Sequence, residues 1–401
     1  MIKADFDLII VGGGMVGASL ACALANTPLK IAIIEAFEPQ SKQQPSYDDR
    51  GIALAYGSQR IFESLGLWPQ LASHCTAITD IHVSDRGHFG ATRLSAKNKN
   101  VAALGQVITA RLMGEMLNKA IEQHDKLELI CPEKVTKLNQ EDDFVELILN
   151  DNRRLSAKLI VAADGAQSTI RQLLDLAALE HDYEQTAITA NITPERPHQG
   201  RAFERFTDTG PIALLPMSDN RCSLVWTVKT SDETDILQLS DDDFLSQLQE
   251  RFGYRLGKLI KVGQRTSYPL KLVQTDQPIQ ARIVFIGNAA HSLHPTAGQG
   301  FNLGLRDVAA LADVLADCSG DCGDARLLHD YQQWRQQDQD NVINNTHTLV
   351  KLFSHDNPIL GHLRGIGLTL VDALPIAKHW LAQKSMGLDR KQPRLSRGLK
   401  L

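Results

Sequence analysis

Gly12, Gly14 and Gly17 stand in a G-x-G-x-x-G spacing directly after the apolar run Leu8-Ile9-Ile10-Val11, and Glu35 follows further on. That set of residues carries a definite chemistry. The first glycine permits a tight turn, the second leaves room for a pyrophosphate against the backbone, and the third lets helix and strand pack closely. Unpaired N–H groups at the start of the next helix attract phosphate. An acid about 20 residues beyond the motif accepts hydrogen bonds from ribose hydroxyls. A Gly-rich motif alone would serve equally as a structural turn. Strand, glycines, helix, strand and acid in this order point to a dinucleotide.

Three further places could touch a cofactor. Arg50 follows the polar stretch Pro39–Asp49 and either reaches a phosphate or flavin edge or stands as a surface arginine. Asp164-Gly165 ends the buried-strand pattern Leu159–Ala163 and turns into a helix bearing Arg171. It reads as a nucleotide-contact turn or as an ordinary turn at a strand end. Gly287-Asn288 ends the strand pattern from Arg282 and leads through Gly298-Gln299-Gly300 to a helix expected over Leu305–Ala316. Exposed N–H groups before such a helix can meet an electron-rich oxygen. His291 and His294 are joined by no carboxylate or cysteine at metal spacing, so no metal is expected.

The elements that must hold these residues fall into a recognisable order. Residues 1–182 read as the first part of a Rossmann-like α/β nucleotide-binding domain. From 183 to 269 alternating runs such as Ala187–Ile192, Ala202–Phe206, Ile212–Pro216 and Cys222–Val228 predict an inserted antiparallel sheet with one buried face. A helix over Asp241–Phe252 interrupts it, and Phe203, Phe206, Leu214 and Trp226 either line a pocket there or form plain core. Residues 270–340 return to the nucleotide domain, and 341–401 form a C-terminal helical region with a basic tail. Leu360, Leu363, Ile366, Leu370, Leu374, Ile376, Trp380 and Leu381 mark one apolar face in that region. Such a face followed by Lys and Arg suits a membrane surface, or a helix covering the core before a solvated tail.

Composition narrows the partners. With 401 residues, 43% hydrophobic and 22% charged, the chain can bury a large core. A net charge of −5 offers no basic field for nucleic acid. The six cysteines form no C-x-x-C pair, which fits reduced thiols of a cytoplasmic protein. Neither a signal peptide nor a spanning helix is expected.

The three motif regions together resemble the single-component FAD-dependent aromatic hydroxylases, the para-hydroxybenzoate hydroxylase superfamily, over nearly the whole chain. Within it, Asp49-Arg50-Gly51-Ile52-Ala53-Leu54, Val83–His88, Arg201–Thr207 and His294-Pro295-x-Ala297-Gly298-Gln299-Gly300-Phe301-Asn302-Leu303-Gly304-x-Arg306-Asp307 look like the ubiquinone-biosynthesis hydroxylases. The likeness is strongest to those acting on 2-polyprenyl-6-methoxyphenol. The resemblance implies the superfamily fold, FAD as cofactor, NADH or NADPH as donor, and O2 as co-substrate through a flavin hydroperoxide. It implies a polyprenylated phenol as substrate, at the inner face of the cytoplasmic membrane beside other ubiquinone-biosynthesis proteins. By the same resemblance Gly12, Gly14, Gly17 and Glu35 hold the ADP half of FAD, while Arg50, Gln106 and Arg111 meet the flavin. Asp164 and Gly165 lie near the pyrophosphate, as do Gly287 and Asn288, where most of the superfamily has Gly-Asp. Pro295 and Gly298, Gln299, Gly300, Phe301 and Asn302 lie against the ring, and His294 is the candidate base, with Pro295 beside it. Other readings are a sister hydroxylase at another ring carbon, an FAD-dependent prenyl-lipid reductase, and a non-catalytic flavoprotein scaffold.

Overall fold

The computed structural model describes residues 4–38, 50–295, 298–353, 358–388 and 391–401. The polar stretch Pro39–Asp49 and residues Thr296 and Ala297 of the long glycine-bearing motif lie outside them. Two large sheets organise the chain. The first has eight strands, and its central part is parallel: Ile283–Phe285, Arg154–Ala162, Phe6–Val11, Ile31–Ile34 and Leu127–Ile130, in that spatial order. Parallel strands are covered on both faces and therefore read as continuous apolar runs. Leu8, Ile9, Ile10, Ile31, Ile33, Ile160 and Val161 are all buried here. Helices Met15–Leu24 and Gln299–Ala316 pack together over one face, with Ala21, Leu305 and Ala309 in a shared core.

The second sheet has nine strands, centred on the antiparallel set Thr266–Thr275, Ala178–Pro194, Cys222–Lys229, Gly210–Pro216 and Arg201–Thr207. It is not confined to the 183–269 stretch. The hairpin Asp80–Asp85 and Ala91–Ser95 joins it through parallel pairing of Asp80–Asp85 with Arg201–Thr207, and His291–Ser292 adds at the other edge. Helix Asp241–Phe252 begins at Ser240, whose hydroxyl accepts from Asp243 N, and packs Phe244 against Trp226 with ring centroids 5.4 Å apart.

Two expectations change. The strand Cys222–Lys229 is buried on both faces, not one. Cys222, Leu224, Trp226 and Val228 face the helix, while Ser223 meets the strand Gly51–Ala55, its Oγ accepting from Gly51 N at 2.9 Å. The helix expected over Leu305–Ala316 starts at Gln299. Glycine lowers helix propensity, but here the missing side chains permit contact. A Cβ on Gly304 would lie 3.0 Å from Val16, so the run is helical where it meets the first helix.

Candidate active site at the strand ends

Gly12, Glu35, Asp164 and Gly287 come together because each ends or follows a strand of the parallel sheet at its carboxyl edge. Ile31–Ile34 lies on one side of Phe6–Val11 and Arg154–Ala162 on the other. The order of the chain therefore reverses at the first strand, the position where such sheets bind ligands. Gly12 has φ +104°, and a Cβ on it would lie 2.5 Å from Ala163 O, so the turn needs glycine. Gly14 caps the helix with φ −63° and ψ 179°. The first intrahelical bond runs from Ala18 N to Gly14 O at 2.8 Å. The N–H groups before it point to the carboxyl edge without intrahelical acceptors.

Glu35 is buried, and burial pushes its carboxyl up against the opposing pull of the Phe37 and Gly13 N–H groups. Its Oε2 accepts from Gly13 N at 2.7 Å and Oε1 from Phe37 N at 3.0 Å. Each oxygen keeps a second lone pair for a hydroxyl. Burial likewise raises the Asp164 carboxyl, which accepts from Ile170 N at 3.2 Å through Oδ2. Its Oδ1 is buried without a partner among the described residues and so has lone pairs to offer a donor. Gly165 has φ +87° and open space at its Cβ position. Asn288 is the exposed residue between buried Gly287 and Ala289. The donor set, the open N–H groups and the glycine cradle fit the adenosine, pyrophosphate and ribityl parts of FAD.

The glycine-bearing helix start lies beside this edge. Gly298 takes φ +60°, and Gly300 has nothing within 4 Å of its Cβ position, so the backbone there is open to a planar ring. Gln299 and Phe301 are half-buried. Asn302 is spent internally: it donates to Ala53 O at 2.8 Å and Gly298 O at 2.7 Å, and accepts from Ala55 N at 2.8 Å and Ser58 Oγ at 2.7 Å. Its side chain ties the helix start to residues 53–58, leaving its backbone to meet a ligand.

The other expected contacts spread out. Arg50 lies over the Tyr268 ring at 4.4 Å and so bridges to the second sheet. Gln106 donates to Gln59 Oε1 at 3.2 Å, and Arg111 pairs with Glu115 at 3.2 Å along its own helix. His294 is buried edge-on to Tyr183, with ring centroids 5.4 Å apart, and burial pushes its imidazole down to about 4. A ring that weakly basic is poorly matched to a phenol whose ordinary pKa is about 10. Pro295 is half-buried next to it. Leu214 belongs to the sheet core, Phe203 packs on Phe252, and Phe206 stacks on Phe353 at 3.7 Å, while Trp226, packed in the same core against Phe244, also lines a cavity with Thr209, Val228 and Ile236.

Asp307 had no role in the sequence reading, although it lies in the quoted motif. It is fully buried under the Gly287 turn, accepting from Gly287 N at 3.3 Å, His291 Nε2 at 2.7 Å, Arg335 Nε at 2.9 Å and Gln339 Nε2 at 2.9 Å. Burial alone would raise its carboxyl, but His291 and Arg335 overcome that and hold it well below the ordinary range. The signal was available: an acid amid Leu305, Val308 and Ala309 must have partners. No group of His, Cys, Asp or Glu among the described residues could hold a metal ion.

A family model described as an FAD binding domain matches residues 5–346. The chain belongs to this FAD-binding family of monooxygenases. It is 36% identical to the ubiquinone hydroxylase UbiL of Rhodospirillum rubrum, over 98% of this chain and 93% of that one. It is 29% identical to the 3-demethoxyubiquinol 3-hydroxylase of Escherichia coli, over 97% and 100% respectively. In fold it is similar to p-nitrophenol 4-monooxygenase PnpA from Pseudomonas putida, with a TM-score of 0.78, 17% identity, and 96% and 98% of the two chains covered. The Rossmann-like fold with an antiparallel second sheet, the FAD cofactor and the monooxygenase class are thus those expected.

Proposed function

We propose that the chain hydroxylates the aromatic ring of a polyprenylated phenol, of the 2-polyprenyl-6-methoxyphenol type, in ubiquinone biosynthesis. The observation that carries this is the convergence of Gly12, Glu35, Asp164 and Gly287 at one carboxyl edge, in a chain alike end to end to ubiquinone-pathway hydroxylases. FAD held there would supply electron transfer from NADH or NADPH and the transfer of one oxygen atom of O2 to the ring, the other leaving as water. The chain's own residues bind, orient and exclude water. Gly12, Gly14 and Gly17 admit the pyrophosphate, Glu35 accepts from ribose, and Asp164, Gly165, Gly287 and Asn288 meet the phosphate and ribityl groups. Of the three further residues expected at the flavin, Arg50 bridges to the second sheet over Tyr268, whereas Gln106 and Arg111 are engaged with Gln59 and Glu115. Gly298 to Asn302 offer backbone N–H groups to the ring's oxygen-rich edge. His294 closes the site as a neutral ring beside Pro295 and Tyr183, keeping water out.

Hydroxylation at a neighbouring ring carbon is the second reading, favoured by the relative named as a 3-hydroxylase. The polyprenyl tail implies work at the inner face of the cytoplasmic membrane beside other enzymes of the pathway. No helix among the described residues is long and apolar enough to cross a membrane. Purified protein loaded with FAD, given 18O2, a reduced nicotinamide nucleotide and a short-tailed prenyl phenol, should yield a product carrying one labelled oxygen. Product formed without label would point to the prenyl-lipid reductase instead. Protein that stays free of FAD yet restores quinone synthesis in a deficient cell would point to a scaffold.

A further inference from the structure

Helix Pro358–Ala373 is packed inside out. Two of its three glycines face the protein: a Cβ on Gly361 would lie 2.2 Å from the His88 ring, and one on Gly365 would lie 2.2 Å from Phe89 O. Arg364, on the same side, donates from Nε to Asp85 Oδ2 at 2.9 Å. The large apolar side chains point the other way. Leu363, Ile366 and Leu370, continued by Leu374, Ile376 and Trp380 of the next turn and of helix Pro375–Ser385, are between 53% and 87% exposed. Phe89, at the tip of the hairpin that meets Gly365, is 90% exposed. A surface helix of a water-soluble domain shows the opposite arrangement. A contiguous apolar patch of this kind marks a surface that meets something else.

The charge around the patch says what. From 358 to 388 the sequence holds one acid, Asp372, against Arg364, Lys378 and Lys384; Arg364 faces inward on Asp85, so the cations at the patch are Lys378 and Lys384. Asp372 is tied to Lys378 at 2.8 Å and to Arg93 at 3.8 Å. The Lys384 ammonium lies over the Trp380 ring at 4.0 Å. Protein interfaces are depleted of lysine. Aliphatic side chains with tryptophan and lysine at the edge, and no free acid, match the boundary between acyl chains and anionic headgroups.

We propose that this face seats the chain on a bilayer containing anionic phospholipid, with both helices lying in the plane of the interface. The assignment rests on the polyprenylated-substrate reading, since a substrate whose tail stays in the bilayer must be met there. The hairpin carrying Phe89 belongs to the second sheet, so docking through this face brings that sheet, and the strand Thr266–Thr275 with Tyr268, to a fixed height over the lipid.

The test is co-sedimentation of the full FAD-loaded chain with vesicles of phosphatidylcholine alone or mixed with phosphatidylglycerol. Wild type should bind the mixed vesicles about tenfold more tightly, and added salt should erase that difference. The double substitution Ile366→Glu and Ile376→Glu should weaken binding about a hundredfold, because two buried isoleucines are lost from the lipid. Both side chains are exposed, so flavin content and melting temperature should match wild type. Trp380→Ser, which adds no charge, should weaken binding in the same direction. Wild type that ignores both vesicle types, or variants that bind as wild type does, would overturn the docking face. Turnover of a short-tailed phenol free in solution separates the two readings. It should survive in every variant while turnover of vesicle-borne phenol falls. If wild type docks but turns over neither phenol, the docking face stands and the hydroxylase reading fails.

Discussion

Gly14 and Gly17 sit three residues apart in one motif, yet different work is expected of them. A Cβ on Gly17 would lie 1.9 Å from Gly12 O, where real Cβ atoms do not come within 3.0 Å. The obstructing atom is backbone, so helix Met15–Leu24 would have to lift by about an ångström. Eight of its ten residues are buried, and lifting them opens the core on both sides. Overpacking of this sort costs about 3 kcal/mol. For a chain of 401 residues melting as one unit, an unfolding entropy of about 2.1 cal/mol/K per residue makes that a fall of about 4 °C. Gly14, with φ −63° and ψ 179°, has a backbone that any residue adopts. Gly14→Val should cost the flavin-free protein only the weaker helix cap, about 1 kcal/mol and so about 1 °C. What it should lose is the cofactor, because the side chain occupies the approach of the pyrophosphate. At FAD concentrations of 100 times the dissociation constant, binding adds about 2.7 kcal/mol of stability, or about 3 °C, and that gain should vanish. The assay is thermal melting of Gly17→Ala and Gly14→Val with and without FAD, alongside flavin absorbance after purification. Gly14→Val that purifies with a full complement of flavin, or Gly17→Ala that melts like wild type, would refute the reasoning.

Asp307→Asn should destabilise the protein by about 1–3 kcal/mol: Arg335 keeps Asp338 as a carboxylate partner, but the buried bonds that His291, Arg335 and Gln339 donate to the Asp307 carboxylate would be made to a neutral amide or lost; chemical denaturation reads this directly. His82 and His294 are both held down to about 4 by burial, so the unfolded chain binds more protons than the folded one between that value and the ordinary 6.5. Stability should therefore fall as pH drops through this window, and His294→Gln should flatten the fall in melting temperature. Asn288→Asp restores the acid usual in the superfamily at an exposed position. It should leave flavin content unchanged and alter stability by less than about 0.5 kcal/mol; a variant that purifies without flavin would contradict the assigned contact.

Much of the nucleotide half was legible because its signals are local. Apolar runs mark buried parallel strands and glycines mark the turns, so the strand at Phe6–Val11 and the turn at Gly12 lie where the pattern puts them, as does the helix Asp241–Phe252 in the second region. Each member of the carboxyl-edge cluster was legible singly for the same reason, since it follows its own strand in sequence; that the four strands lie side by side was not. The rest depends on contacts between distant parts of the chain. Nothing in Asp80–Asp85 tells that it will pair in parallel with Arg201–Thr207, because a parallel pair has no connecting turn to give it away. The close approach of Gly304 to Val16, the four bonds of Asn302 to residues 53–58 and 298, and the burial of His294 all depend on partners distant in the chain. The amphipathic pattern of the C-terminal helices was plain in the residues, but which face would be left outside was not. Gly361 and Gly365 fit against the hairpin at His88 and Phe89 only in the folded chain, and that fit turns the leucines outward. Residue types and spacing determined the cofactor class and its cradle; the meeting of two sheets and a glycine-faced helix decided how the site is closed and which surface is left apolar.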